Sequence, residues 1–195
     1  MFKKVNRRAP LIFGAVLGLF LSNSVMADIT VEESNEILTA AKSTVEKFKK
    51  DTKGAESLFS NAKGILVCPK ITKFGVFLGT EGGECVLITG ASEPLFYNSR
   101  SLKAGVVVGI QSHSMILVMN TDDAMVNFTS GKREWDFGLD ASISVVKLSV
   151  GGEIDTTNLK SSISSFIFGE KGLMADLSWE GTSFKKLDVE KPEEK

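Results

Sequence analysis

The stretch GILVCPKITKFGVFLGTEGGECVLITG, residues 64–90, decides the fold class. Its apolar residues come in short runs bounded by glycine and proline, which predicts β-strands rather than helices. We place strands at residues 65–71, 74–80 and 84–90, with Thr80–Gly83 as a hairpin turn. The stretch therefore predicts the opening of an antiparallel region in which three strands follow one another as a meander.

The residues before this stretch have a helical pattern. Leu38, Ala41, Val45 and Phe48 recur at three- and four-residue spacing, which places them on one face of a helix. Gly54 is a typical C-terminal stop, and a short second helix is predicted at residues 55–61. Two helices are thus expected ahead of the strands.

The residues after this stretch continue as glycine-bounded apolar runs as far as Leu187, interrupted by a helix that begins near Thr121. A chain that opens with helices and goes on with many short strands predicts an α+β fold. We expect N-terminal helices packed on an antiparallel β-sandwich or partly closed β-barrel.

The first 27 residues have the order of a secretory signal peptide. A basic segment precedes the apolar run 11–21, and small residues follow up to Ala27. An apolar run of about 11 residues is too short to span a bilayer, which needs about 20. We expect cleavage after Ala27, a periplasmic or secreted location, one domain over residues 28–188 and a loose tail over residues 189–195.

The charge of residues 28–195 excludes one class of partner. Four of the 23 basic residues and none of the 24 acidic residues precede Asp28, so the net charge after cleavage is −5. A nucleic-acid-binding protein needs a basic surface for phosphate contacts. The sequence therefore predicts that nucleic acid is not a partner.

The sequence contains no recognisable catalytic constellation. His113 is the only histidine, so a multi-histidine metal site is excluded, and we interpret this residue as exposed or hydrogen-bonded at a strand edge. Nucleophile-elbow, phosphate-loop and Cys-x-x-Cys motifs are absent from the sequence. We therefore expect no enzymatic activity, no metal and no cofactor.

Cys68 and Cys85 raise the question of a disulfide, because exported proteins meet an oxidising environment. In the predicted meander one strand lies between them, which separates them by roughly 10 Å. A disulfide requires Cα atoms within about 7 Å. We therefore expect two buried thiols, and a bridge would require direct pairing of the first and third strands.

Basic residues gather at the end of the first helix and continue along the next segment. Such a cluster suits anionic lipid headgroups, with neighbouring aromatic side chains entering the interface. Lysines also favour helix C-termini and solvated faces, so both interpretations stay open. The candidate lipid-binding residues are Lys47, Phe48, Lys49, Lys50, Lys53, Phe59, Lys63, Lys70 and Lys73.

Several motifs together resemble the SYLF domain, a lipid-binding module. The segment NAKGILVCPK at residues 61–70 is similar to the opening of that domain. The closest similarity is TTNL at 156–159, FIFGEKGLMA at 166–175 and EGT at 180–182. The resemblance covers roughly residues 35–187 and is to the exported bacterial branch of the family.

The resemblance implies a β-rich domain with N-terminal helices that binds phospholipids. Some eukaryotic members also bind actin, which an exported protein does not normally meet. We therefore expect a non-enzymatic phospholipid-binding protein that acts at an envelope membrane surface through its basic N-terminal segment. The alternative is an envelope structural or protein-interaction domain without direct lipid binding.

Overall fold

The computed structural model describes residues 29–90, 92–130, 134–136, 143–148, 153–154, 161–176 and 182–190. The predicted signal peptide lies outside these residues. The described elements, in chain order, are α1 Val31–Asp51, α2 Ala55–Asn61, β1 Gly64–Ile88, β2 Leu95–Met119, α3 Asp122–Thr129, β3 Glu134–Asp136, β4 Ile143–Lys147, β5 Ile163–Asp176 and β6 Thr182–Leu187.

The start of α1 is fixed by a capping box. Thr30 Oγ1 accepts a hydrogen bond from the backbone N–H of Glu33 at 3.2 Å, and the Glu33 carboxylate accepts one from the backbone N–H of Thr30 at 2.8 Å. These bonds to the backbone and side chain of Thr30 lower the pKa of Glu33. The two predicted N-terminal helices are confirmed, and Gly54 joins them with a left-handed φ of 85°.

The six described strands form one mixed sheet. β1 pairs with β2 from Gly64↔Met119 to Leu87↔Leu95, and β2 also pairs with β5 and β6, all antiparallel. β3 pairs with β6, while β4 runs parallel to β5. The predicted α+β class is confirmed; the parallel β4–β5 pair departs from the expected antiparallel pattern, and the sheet does not close into a barrel.

The β1–β2 hairpin is bent back on itself. Both strands are 25 residues long, and the register between them is irregular where Val76 and Leu78 meet Val108 and Ala104. Beyond this bend the second half of β1 returns beside the first half. A Cβ added at Gly83 would overlap the carbonyl oxygen of Lys70, so the close approach requires glycine at position 83.

This bend brings the two cysteines together. Cys68 and Cys85 form a disulfide, with their Cα atoms 4.1 Å apart. The expected meander and the expected free thiols are therefore wrong. Residues 74–80 form the bend instead of a separating strand, and Thr80–Gly83 lies inside β1 instead of forming a hairpin turn. Both halves of β1 pair with β2 on one edge, which leaves their other edges free to meet.

Side chains of the long strands alternate between two cores, as the two-residue period of a strand dictates. Met115, Leu117 and Met119 point into an inner core, which α3 covers with Ala124 and Phe128. Ile116 and Val118 point outward and pack under α1 and α2, in a core that also includes Phe48, Val67, Val86 and Phe166. Burial on both faces explains why these strand segments are apolar at every position.

The two ends of the described chain are held together. The backbone N–H of Ile29 donates to Asp188 at 3.0 Å, and that of Glu190 donates to Ile29 at 2.8 Å. Ile29 is buried and bridges to Val189. Val189, expected to begin the loose tail, is instead anchored; residues 191–195 lie outside the described residues.

Thiol titration checks the disulfide. Denatured, unreduced protein is expected to show no reactive thiol, and reduction is expected to release two. Replacing both cysteines with alanine should lower the free energy of unfolding by about 3 kcal/mol, since the bond closes a loop with a sequence separation of 17. Two reactive thiols before reduction would contradict the bent hairpin.

Alkaline titration checks the inner core. Tyr97 is the only tyrosine and is buried against Phe128, and desolvation raises its pKa to about 12. Its phenolate absorbance is expected to appear near pH 12 in native protein and near pH 10 in denaturant. The stabilisation from keeping the phenol neutral is complete below about pH 10 and is lost as pH rises through about 12. A native midpoint near 10 would place Tyr97 in solvent.

Candidate lipid-binding surface

The nine candidate residues do not form one surface. Some lie at the C-terminal end of α1 and on α2. The others lie beside the start of α3, in a groove beside α1 and in the interior of the bent hairpin. Charge neighbours and burial therefore decide which of them suit an anionic ligand.

The C-terminal end of α1 presents a group of exposed lysines. Lys47 and Lys50 are exposed on the helix, and Lys53 is exposed directly after it. None of the ion pairs found among the described residues involves these three lysines. Lys49 differs, because its ammonium lies 3.9 Å from the Glu46 carboxylate and 3.7 Å from that of Glu56. Three of the four lysines of this segment thus form the candidate basic cluster.

Phe48 is part of the outer core and not of the surface. Its side chain is fully buried, with ring centroids 5.6 Å from Phe59, 5.7 Å from Phe166 and 4.8 Å from Phe168. The interpretation of Phe48 as an interfacial side chain is therefore wrong, because its ring fills the space between α1 and the sheet. Phe59 is half-buried against the same core, and the Lys49 ammonium lies 5.9 Å from its ring.

Lys63 and Lys70 are exposed, but each has acidic neighbours. Lys63 pairs with Asp122 at the start of α3, at 3.2 Å. Lys70 lines a groove of about 350 Å³ between α1 and β1, together with Glu33, Glu36 and Glu84. Three carboxylates around one ammonium make this groove locally negative, which disfavours an anionic headgroup.

Lys73 lies inside the bent hairpin. Its ammonium is 3.4 Å from the Glu81 carboxylate, and both side chains are 11% exposed. His113 is buried beside them, with Nε2 at 3.4 Å from Glu81 but without the alignment of a hydrogen bond. His113 thus lies in the middle of the sheet between β1 and β5, and not at the expected strand edge. A lipid surface does not reach Lys73 in this arrangement.

The described residues contain no helix with the length and apolar content that crossing a membrane requires. Within the same ranges, no three side chains of His, Cys, Asp or Glu converge as ligands for a metal ion.

Sequence reasoning missed an exposed apolar surface on the bend. Phe74, Leu102, Val108 and Ile110 are all more than half exposed. The sequence does carry a sign of this exposure. Charged or polar residues stand next to three of these apolar residues, namely Lys73, Ser101 and Gln111.

Comparison with known families confirms the resemblance seen in the sequence. Residues 100–190 match the model of the Ysc84 family, described as a Las17-binding protein actin regulator. This match confirms the SYLF-domain resemblance over these residues, and that family is associated with lipid and protein binding. The matched region includes α3, β3–β6 and most of β2, and ends at Glu190. No curated protein matches the chain at a significant level.

Truncation of Phe48 tests its place in the core. Phe48→Ala is expected to lower the free energy of unfolding by about 3–5 kcal/mol, since it empties a buried aromatic site. Phe59→Ala is the matched control and should cost less, because the Phe59 ring is already part-exposed. Urea unfolding followed by circular dichroism measures both. If Phe48→Ala kept the stability of the wild type and lost vesicle binding, Phe48 would be a lipid-binding residue and not a core residue.

Proposed function

We propose that this chain is an exported, non-enzymatic protein that binds anionic phospholipid at an envelope membrane surface. The proposal places it in the periplasm or outside the cell after cleavage near Ala27. The order of residues 1–27 supports export, and the family match supports a binding role rather than catalysis.

The observation that carries the proposal is the exposed basic cluster of Lys47, Lys50 and Lys53. Ammonium groups near an anionic membrane contribute about 1 kcal/mol each, and the contribution falls off within a Debye length. Three exposed lysines on one helix end form such a surface, even though the domain as a whole carries more acidic than basic residues. The attraction is local to this end of α1.

The chemistry of the described residues supports binding over catalysis. The single histidine is buried beside Glu81 and does not contact solvent, so a substrate at the surface cannot reach it. A general base must lie within hydrogen-bond reach of the group that it deprotonates.

Charge removal at the cluster tests the proposal. A triple variant that removes the three charges should bind phosphatidylethanolamine–phosphatidylglycerol vesicles up to roughly a hundredfold more weakly. Its substitutions are Lys47→Gln, Lys50→Gln and Lys53→Gln. The matched control removes three charges elsewhere, with Lys63→Gln, Lys185→Gln and Lys186→Gln, and should bind nearly as wild type does. Cosedimentation over a salt series measures both, and wild-type binding should weaken as the salt concentration rises.

The second candidate function is binding of an envelope protein partner without direct lipid contact. The description of the matched family favours it, because that description names protein binding. Folded wild-type protein that binds neither anionic nor phosphatidylcholine vesicles at low salt would overturn the lipid proposal in favour of this candidate. Equal binding by the cluster variant and its control would place the basic site elsewhere.

A further inference from the structure

The outer face of β2 is covered at both ends and bare in the middle. The core under α1 and α2 buries Phe96 near one end of β2, and it buries Ile116 and Val118 near the other end. Between them, on the same face, Leu102, Val108 and Ile110 are 78%, 51% and 61% exposed. The helices thus cover the two ends that the bent hairpin brings together, and they leave the bend uncovered.

A fourth apolar side chain completes this surface. Phe74 on β1 is 51% exposed and lies directly across from Ile110 in the ladder. Directly paired residues share a face of the sheet, so Phe74 and Ile110 are cross-strand neighbours. We call these four side chains, Phe74, Leu102, Val108 and Ile110, the apolar bend surface.

Several described side chains on the inner face of the same region are polar or charged. Ser99, Ser101 and His113 are buried there, and Lys73 pairs with Glu81 inside the bend. A sheet with one face in water normally has its polar side chains outside and its apolar side chains inside. The bend has the reverse arrangement, which is the arrangement of strands that contact lipid.

The backbone beneath the apolar bend surface is already paired. Phe74 pairs with Ile110, and Ile110 pairs in turn with Leu173 on β5. Val108 lies in the same way between Val76 and Ala175. A partner that adds a strand needs a free edge, whereas a lipid interface requires apolar side chains over satisfied backbone groups. The paired backbone therefore favours lipid over an added strand.

The charges around the surface complement an anionic membrane. β2 carries Arg100, and the sequence has no acidic residue between Glu93 and Asp122. Arg100 is exposed on the same face of β2 as Leu102. On β5, Lys171 is exposed opposite Ser112, next to Glu170 in the adjoining bulge. The described part of β2 thus brings a basic and no acidic side chain to this face.

From this arrangement we infer that the apolar bend surface enters the interface of an anionic phospholipid bilayer. The inference rests on the proposed function and adds a second contact to it. The basic cluster of α1 provides electrostatic attraction, and the bend provides apolar side chains that remain in the bilayer interface. The cluster lies beside α2, ahead of the start of β1, so the two contacts can be altered independently.

Substitution of the bend tests this inference on the full mature chain. The bend variant combines Phe74→Thr, Val108→Thr and Ile110→Thr. Threonine suits strands, so the variant keeps the strand preference and removes most of the apolar surface. Binding to phosphatidylethanolamine–phosphatidylglycerol vesicles at moderate salt should weaken at least about tenfold. The matched control is Val126→Thr with Val145→Thr, which changes exposed valines on α3 and β4 and should bind as wild type does.

A spectroscopic probe reports insertion directly. Phe74→Trp should show a blue-shifted emission with these vesicles and quenching by brominated acyl chains, after subtraction of the wild-type signal from Trp135 and Trp179. Val126→Trp, exposed on α3, is the control and should show neither change.

The outcomes separate the two proposals. Wild-type binding that the bend variant loses, together with an emission shift specific to Phe74→Trp, supports the inference. Wild-type binding that the folded bend variant retains overturns it and leaves the proposed function intact. Absence of wild-type binding overturns both. The wild-type protein could instead associate with itself in the absence of vesicles. If only the bend variant abolishes this self-association, and vesicle binding is unchanged, the surface binds a second copy of the chain and the inference is overturned.

Discussion

The close approach of the two halves of β1 is the constraint on which the rest of the structure depends. At Gly83 the backbone of one half lies against Lys70 of the other, with no room for a side chain. The Cys68–Cys85 bond fixes the same contact a few residues away. Because β1 and β2 pair along almost their whole length, β2 has to bend with β1. The curled sheet, its inner core and the uncovered bend all follow from this contact.

Much of the fold was predictable because its signals are local. The capping box at Thr30 and the glycine at position 54 lie within a few residues of the helix ends that they fix. The hairpin was not predictable in this way. A strand of 25 residues is far longer than usual. The sequence pattern therefore indicated that strands end at the glycines and Pro69 inside it. Only the non-local pairing with β2 shows that they mark a bulge and a bend.

The candidate surface was predicted in part, for a related reason. Charge spacing identified the lysines of α1 because a helix repeats regularly. On β1, a bulge places Pro69 and Lys70 opposite the single residue Ser114. This extra residue reverses the alternation, so that Ile71 and Lys73 share the inner face with Cys68 while Lys70 points outward. Without the bulge, Lys73 would face solvent, which is what the sequence pattern indicated.

The contact between Ile29 and Val189 has a consequence for how the chain can be reconnected. Since the first and last described residues lie side by side, a short linker could join residue 190 to residue 29 without disturbing either core. New ends opened in the connection between Ile88 and Leu95 would give a circular permutant with the same ladder. In that chain the pairing of β1 with β2 would change from a hairpin contact to a long-range one. Because long-range pairing slows folding, the permutant would fold to the same structure more slowly, which would separate the role of chain order from that of the final contacts.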